Sequence, residues 1–486
     1  MNPVIEKTMR KLPSIIALFA IASATSMIFL DATIIPVALP TIQRDLNVTP
    51  LGIQWIINSY LLVLAVLVYL GGKLADRFGH RRIFCIGLLI FAGASAIGGL
   101  AENTEWLILS RTIQGIGGAF LGPSALSLVI DTFPAQVRGR YLGIIVGFSS
   151  LFLSLGPFLG GLFTEYFTWR LLFWINLPVA ITGLTLTLLF VPKSRKTKVV
   201  FDYIGFTTFS CALLALILTL MQGKSWGWSS RGVLSLFALF LLFVTILVMT
   251  ELRARVPFFD RKLFSIPTFL GGNIIILLTQ FLLTMTIFWA IYFQDILQYS
   301  PMQAGSMTLF ATFPILVVAP TAGHLVDRFG PRLPMTIGFS LVTFGLCWFF
   351  ALSVENSAIL LAPALLAFGS GIALVMTPNS TTTLSAVPEN KRGAASGIYN
   401  TMRYVGATLG VAILGALITN LGHYYFSNDL KGIGIEQVPL EPYTPEVLKM
   451  YLKANYLSYS IATITATAIS IVALVVTFVY FKNKKA

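Results

Sequence analysis

Gly72-Lys73-Leu74-Ala75-Asp76-Arg77-Phe78-Gly79-His80-Arg81-Arg82 is a basic, glycine-punctuated turn set between two apolar runs that are far too long for a soluble core. Its frame returns 251 residues later as Gly323-His324-Leu325-Val326-Asp327-Arg328-Phe329-Gly330-Pro331-Arg332, again between apolar runs. An in-frame pair of such turns marks two related halves. Asp and Arg placed across a tight helix-to-helix connection suit a cytoplasmic latch, because Arg pairs with carboxylates or helix C-termini and must break those pairs when the helices move. Gly72, Asp76, Arg77, Gly79 and Arg81 of the first turn, with Asp327 and Arg328 of the second, are the latch candidates.

Working outward, 56% of the 486 residues are hydrophobic and 11% charged, with a mean hydropathy of +0.84. A soluble domain carries roughly a quarter charged residues, so this is an all-α, polytopic integral membrane chain. The net charge of +14 does not point to nucleic acid, because cytoplasmic loops of membrane proteins collect Lys and Arg. Cys85, Cys211 and Cys347 lie inside apolar runs without a spacing motif, which predicts neither disulfides nor a metal site. The N-terminal run, behind Lys7, Arg10 and Lys11, lacks a small-residue cleavage site and reads as an uncleaved first span.

Crossing the hydrocarbon takes about 20 apolar residues, and fourteen such runs follow one another from 14–36 to 457–481. Placing the N-terminus inside puts 24 Lys and Arg on the inner segments and 7 on the outer ones, which predicts both termini in the cytoplasm, beside both latch turns. The turns follow helices 2 and 10, so the repeat is displaced by eight helices, two more than a six-plus-six arrangement gives. The expected insertion is helices 7 and 8, bracketed by basic linkers at 193–198 and 253–257. The expected division is therefore a six-helix bundle over 1–192, linkers and two inserted helices over 193–266, and a second six-helix bundle over 267–486. An outer stretch at 421–455, with Pro439, Pro442 and Pro445, has room for a hairpin or a lid.

Inside the spans a few residues need a reason. Leu107-Ile108-Leu109-Ser110-Arg111-Thr112-Ile113-Gln114-Gly115-Ile116-Gly117-Gly118-Ala119 holds an arginine at membrane depth, followed by glycines that let a neighbouring helix approach. Asp31, in Leu30-Asp31-Ala32-Thr33-Ile34-Ile35-Pro36, falls at nearly the same depth if helix 1 ends near 36. It is the most deeply set carboxylate. Gly156, Pro157, Gly160 and Gly161 in helix 5 read as a hinge, since proline deletes a backbone bond and glycines permit movable packing. Arg403 in helix 13 is buried on the inner side of its span and calls for an anion or carbonyls, in a binding or a structural role. Asn58, Tyr60, Gln114, Asn273, Gln280, Trp289, Tyr292 and Asn379 join Arg403 as cavity candidates, being polar or aromatic groups in apolar spans.

These residues resemble the fourteen-helix drug:proton antiporters of the major facilitator superfamily over nearly the whole chain. Gly72 to Arg82 is similar to that superfamily's loop between helices 2 and 3, Leu107 to Ala119 to its proton-linked helix-4 motif, and Gly156 to Gly161 to its antiporter motif. Leu30-Asp31-Ala32-Thr33 with Ala38-Leu39-Pro40, Trp169 to Pro178, and Phe201-Asp202-Tyr203-Ile204-Gly205 look like motifs of the fourteen-helix branch. Three positions depart from the pattern: Pro36 replaces a common Asn, His80 a common Arg, and Phe152 a common Gly. The resemblance implies a major facilitator fold and export of lipophilic small molecules in exchange for protons, with Asp31 carrying the proton and Arg111 setting its affinity.

No enzyme is expected. Gly223-Lys224-Ser225 lacks the preceding glycine of a phosphate-binding loop, and His80, His324 and His423 are scattered. The expected energy source is the proton gradient, with no cofactor or metal. Expected partners are lipophilic substrates, protons and membrane lipids. A periplasmic adaptor protein is a candidate because the group includes partners of such systems, and the expected location is a bacterial inner membrane. Export of one specific metabolite, lipid or siderophore, or a non-transporting receptor role, is the alternative.

Overall fold

A computed structural model describes residues 3–133, 138–194, 196, 202–253, 258, 261–351, 358–388, 391–433, 435 and 444–482. It contains fourteen helices long and apolar enough to cross a membrane, and no strand among the described residues. They are α1 (Ile15–Asp45), α2 (Pro50–Phe78), α3 (His80–Gly99), α4 (Thr104–Thr132), α5 (Tyr141–Tyr166), α6 (Leu171–Phe190) and α7 (Tyr203–Gly223). After these come α8 (Arg231–Arg253), α9 (Pro267–Asp295), α10 (Pro301–Phe329), α11 (Arg332–Ala351), α12 (Leu360–Ser385), α13 (Arg392–Gly432) and α14 (Pro445–Tyr480).

The packing repeats with the displacement of eight helices. α1 on α5, α2 on α4, α3 on α4, α1 on α6 and α3 on α6 recur as α9 on α13, α10 on α12, α11 on α12, α9 on α14 and α11 on α14. This is the major facilitator arrangement of two six-helix bundles, with α7 and α8 outside the repeat. Glycines set the close crossings. At Gly117 a Cβ would come 2.7 Å from the Phe91 nitrogen, and at Gly338 the same distance from the Gly371 oxygen, so α3–α4 and its counterpart α11–α12 touch backbone to backbone. Helix α7 lies across the seam between the bundles, where Leu213, Ile217 and Met221 pack with Leu62 and Ala65 of α2 and Val405 and Ala412 of α13. Helix α8 packs on α7 and presents most of its apolar surface outward, as a lipid-facing helix does.

The bundles are fastened at the end remote from the chain termini. The α5–α10 contact begins near mid-helix, where Ser154 Oγ donates to the Thr312 oxygen at 2.9 Å and Thr312 Oγ1 donates to the Ser154 oxygen at 3.0 Å. Ser300 Oγ and the Met302 amide both donate to Glu165 Oε2. Gly161 meets the Pro301 carbonyl and Gly305 meets the Pro157 carbonyl, so the Gly-Pro-x-x-Gly-Gly stretch forms the α5–α10 crossing, while Gly156 and Gly160 abut Thr33 and Ile34 of α1. At the other end of these helices Gly143, Gly147 and Gly323 face open space. Gly161→Leu is therefore expected to wedge this junction apart. Cysteines placed near Ser300 should then label several-fold faster than in the parent, a shift that a passive spacer would not produce.

Five helices differ from the sequence reading. α1 does not end near 36 but passes through Pro36 and Pro40 to Asp45, which sets Asp31 deeper than a count from 36 gives. α13 and α14 run well past the hydrocarbon; α13 has 41 residues, about 60 Å at 1.5 Å per residue, against a core of about 30 Å. Their extensions pair through Phe426, Leu430, Val447 and Ala454, so most of 421–455 is helix, with Pro445 in the first turn of α14 behind the Thr444 cap. Pro439 and Pro442 lie outside the described residues. Finally, α6 is interrupted at Ile175 and α9 at Thr284; at the first, Pro178 cannot donate to the carbonyl of Trp174.

Candidate functional site

Arg111 and Asp31 meet at the centre of the first bundle. Arg111 Nη1 donates to Asp31 Oδ2 at 2.5 Å, and the two residues are 2% and 1% exposed. The glycines after Arg111 make this possible: a Cβ at Gly115 would come 2.9 Å from the Tyr60 oxygen, so α4 lies close enough to α2 for the guanidinium to reach past it. Nε donates to the Ile56 oxygen at 3.3 Å, and Nη1 also reaches Gln114 Oε1 at 2.8 Å. The Tyr60 ring lies against the guanidinium carbon at 4.2 Å. Gln114 Nε2 in turn donates to Asp31 Oδ1 at 3.3 Å and Ser95 Oγ at 2.7 Å, and Asn176 Nδ2 donates to the same Ser95 oxygen at 3.3 Å. Such a pair is held by charge and satisfied hydrogen bonds in a dry interior. Removing either partner strands the other.

Beside this network lies a cavity of about 100 Å³ walled by both bundles. Arg111 and Tyr60 face it from the first bundle, and Gln280, Thr284, Arg403 and Tyr404 from the second. Arg403 has its guanidinium carbon 5.1 Å from the Phe29 ring and 5.7 Å from the Tyr404 ring. A larger cavity of about 300 Å³ opens at the end remote from the termini, where Gln43, Gln54, Asp295, His423 and Asn455 are among its polar lining residues.

Of the cavity candidates from sequence, Tyr60, Gln280 and Arg403 line the central cavity. The others are placed elsewhere. Asn58 donates to Met221 Sδ of α7 at 3.2 Å, and Gln114 belongs to the ion-pair network. Asn273 bonds its own helix through the Phe269 oxygen. Trp289 stacks on Phe349 and meets Phe368 edge-on, and Tyr292 packs with Phe349 and Tyr459, all in the core of the second bundle. Asn379 donates to the Gly272 oxygen and to Tyr399 Oη. Sequence reasoning passed over Phe29, Thr284 and Tyr404, which meet the same polar-or-aromatic criterion but are not set apart by it from the many other such residues of the spans.

At the latch, Gly79 and Gly330 take φ of +101° and +81°, a backbone region costly for any side chain. Asp76 Oδ1 lies 3.1 Å from His80 Nε2, and Asp131 of α4 lies 2.8 Å from His80 Nδ1. The ring can donate to both carboxylates at once only as imidazolium, so His80 takes the cationic position between α2 and α4. Arg81 donates to the Leu188 oxygen of α6, and its amide to Ser194 Oγ at 3.2 Å. Gly72 faces Pro123 of α4. Arg77 and Arg328 lie against the neighbouring Phe78 and Phe329 rings at 5.3 and 5.1 Å. Asp327 stands in the last turn of α10, one residue before Arg328, as Asp76 precedes Arg77 in α2.

Two bundles related by a repeat, a cavity walled by both, and a buried charge pair beside it define a polytopic membrane transporter. A model of the Major Facilitator Superfamily matches residues 21–411 and again 274–486, and the chain belongs to that superfamily. It is 32% identical over 406 residues to the tetracenomycin C resistance and export protein of Streptomyces glaucescens, covering 83% of this chain and 76% of that one. It is 34% identical over 415 residues to the multidrug resistance protein Stp of Mycobacterium tuberculosis, with the same coverages. Among solved structures it is similar to a bacterial homolog of the human lysosomal transporter Spinster, at 16% identity and a TM-score of 0.65, over 97% of this chain and 98% of that one.

Proposed function

We propose that this chain is a proton-coupled antiporter that exports lipophilic small molecules by alternating access, with Asp31 as the proton-carrying group and Arg111 as the cation that governs it. The observation carrying this reading is the buried Asp31–Arg111 pair beside a cavity walled by both bundles. A carboxylate that exchanges an arginine for apolar surroundings changes its hold on a proton, so rocking of the bundles couples to proton uptake and release. Two relatives named for resistance to, or export of, drugs support the direction. The units of this machine are a first bundle over 1–192, the inserted segment over 193–266 and a second bundle over 267–486, set in a bacterial inner membrane with both termini cytoplasmic. Expression in a pump-deficient host should raise resistance to several chemically varied lipophilic toxins. Protection against none of them contradicts export.

Two further results are expected. A cysteine at Ser229, in the α7–α8 turn, should react with a membrane-impermeant thiol reagent added outside intact cells; labelling only after lysis contradicts the orientation. Asp76→Asn should cut transport about tenfold or more while leaving substrate affinity within about twofold, because the latch lies outside the cavity and acts on exchange between states. Equal loss of affinity and transport at normal expression contradicts the latch.

A further inference from the structure

The wall of the central cavity is mostly apolar, and few polar side chains stand in it. Among the described residues the Arg403 side chain makes no hydrogen bond and no ion pair. Tyr60 and Gln280 line the same cavity, and the Tyr60 hydroxyl and the Gln280 Nε2 are buried without a partner, in residues 1% and 6% exposed. The acid nearest to the cavity, Asp31, is turned toward Arg111 and Gln114. A cationic substrate would meet two arginines and no available carboxylate.

We propose that this wall recognises an oxyanion, and that the substrates of the transporter named above are lipophilic organic anions whose carboxylate or acidic enol oxygen docks on Arg403. The proposal rests on the transport reading and narrows its substrate class. A guanidinium accepts a carboxylate through two parallel N–H donors, and the Tyr60 hydroxyl and Gln280 amide can donate to the remaining lone pairs. The Phe29 and Tyr404 rings beside Arg403 offer apolar faces to the substrate's body. An uncharged analogue leaves buried donors unsatisfied, and that asymmetry, more than the attraction itself, makes such a site selective. Expelling an anion also runs with an inside-negative potential. A bound anion and a proton on Asp31 attract each other, so exchange is enforced by which loaded forms reorient rather than by competition between like charges.

The test uses the purified full-length protein and three probes on one skeleton: 2-naphthoate, neutral 2-naphthamide and cationic 2-naphthylmethylammonium. Equilibrium binding to the parent should favour the acid over the amide by about tenfold or more, with the ammonium weakest. Arg403→Gln should bring acid and amide within about twofold of each other, Arg403→Lys should keep part of the preference, and Gln280→Leu should reduce it independently. Absence of an acid preference in the parent, including failure to bind any probe, overturns the proposal. So does a preference that survives in Arg403→Gln, or, should that variant not fold, in Gln280→Leu. Because these are binding measurements without a gradient, the oxyanion site can fail while proton-coupled export stands, and the reverse.

Discussion

Asp31→Asn should reach the membrane at normal levels, bind substrate within a few-fold of the parent, and lose pH-gradient-driven efflux by roughly a hundredfold, equivalent to about 2.7 kcal/mol. Asparagine is nearly isosteric, and its one side-chain oxygen can still accept from Arg111, while the NH2 group takes the place of the oxygen that accepts from Gln114. It cannot change charge. If the pair only fastens α1 to α4, loss of the charge should show as lost expression or a lowered melting temperature, with transport per folded molecule unchanged. Efflux normalised to the amount of folded protein separates the two.

Arg111→Met carries the largest expected stability effect. It leaves the Asp31 carboxylate, 1% exposed, without its counter-charge, and breaking one side of a buried pair costs about 3–5 kcal/mol. It also strips Tyr60 of the cation against its ring and the Ile56 carbonyl of a donor. Adding Asp31→Leu should recover most of the lost thermal stability, because two apolar groups replace a buried pair without stranding a charge, while transport stays lost. Recovery of transport in the double variant would mean that the pair is dispensable for coupling. A detergent melting series on the parent, the single variants and the double variant reads the stability part directly.

Much of the fold was legible because membrane insertion constrains sequence strongly. The two G-x-L-x-D-R-F-G turns exposed the repeat, and their displacement by eight helices located the insertion that lies outside the repeated packing. Depth counting also brought Asp31 and Arg111 together, though from a wrong end-point for α1, since hydropathy falls at Pro36 while the helix continues. Composition could not say which way a side chain points. A span surrounded by lipid and protein is apolar all round, so periodicity does not separate the cavity face from the core. Trp289 and Tyr292 therefore read like cavity residues and lie in an aromatic core, and Asn58 faces α7. The His80–Asp131 contact joins residues 51 positions apart, a pairing that only packing reveals. The extensions of α13 and α14 escaped because their partner is each other rather than lipid.

The measurement that bears most directly on the account is proton movement in proteoliposomes holding the parent or Asp31→Asn, with a pH-sensitive dye trapped inside and substrate added outside. The parent should move protons in the direction opposite to substrate immediately on addition, and Asp31→Asn should give no signal beyond empty vesicles. Full substrate-driven proton movement by well-folded Asp31→Asn, or substrate uptake by the parent with no proton movement, would contradict the claim that Asp31 couples the two.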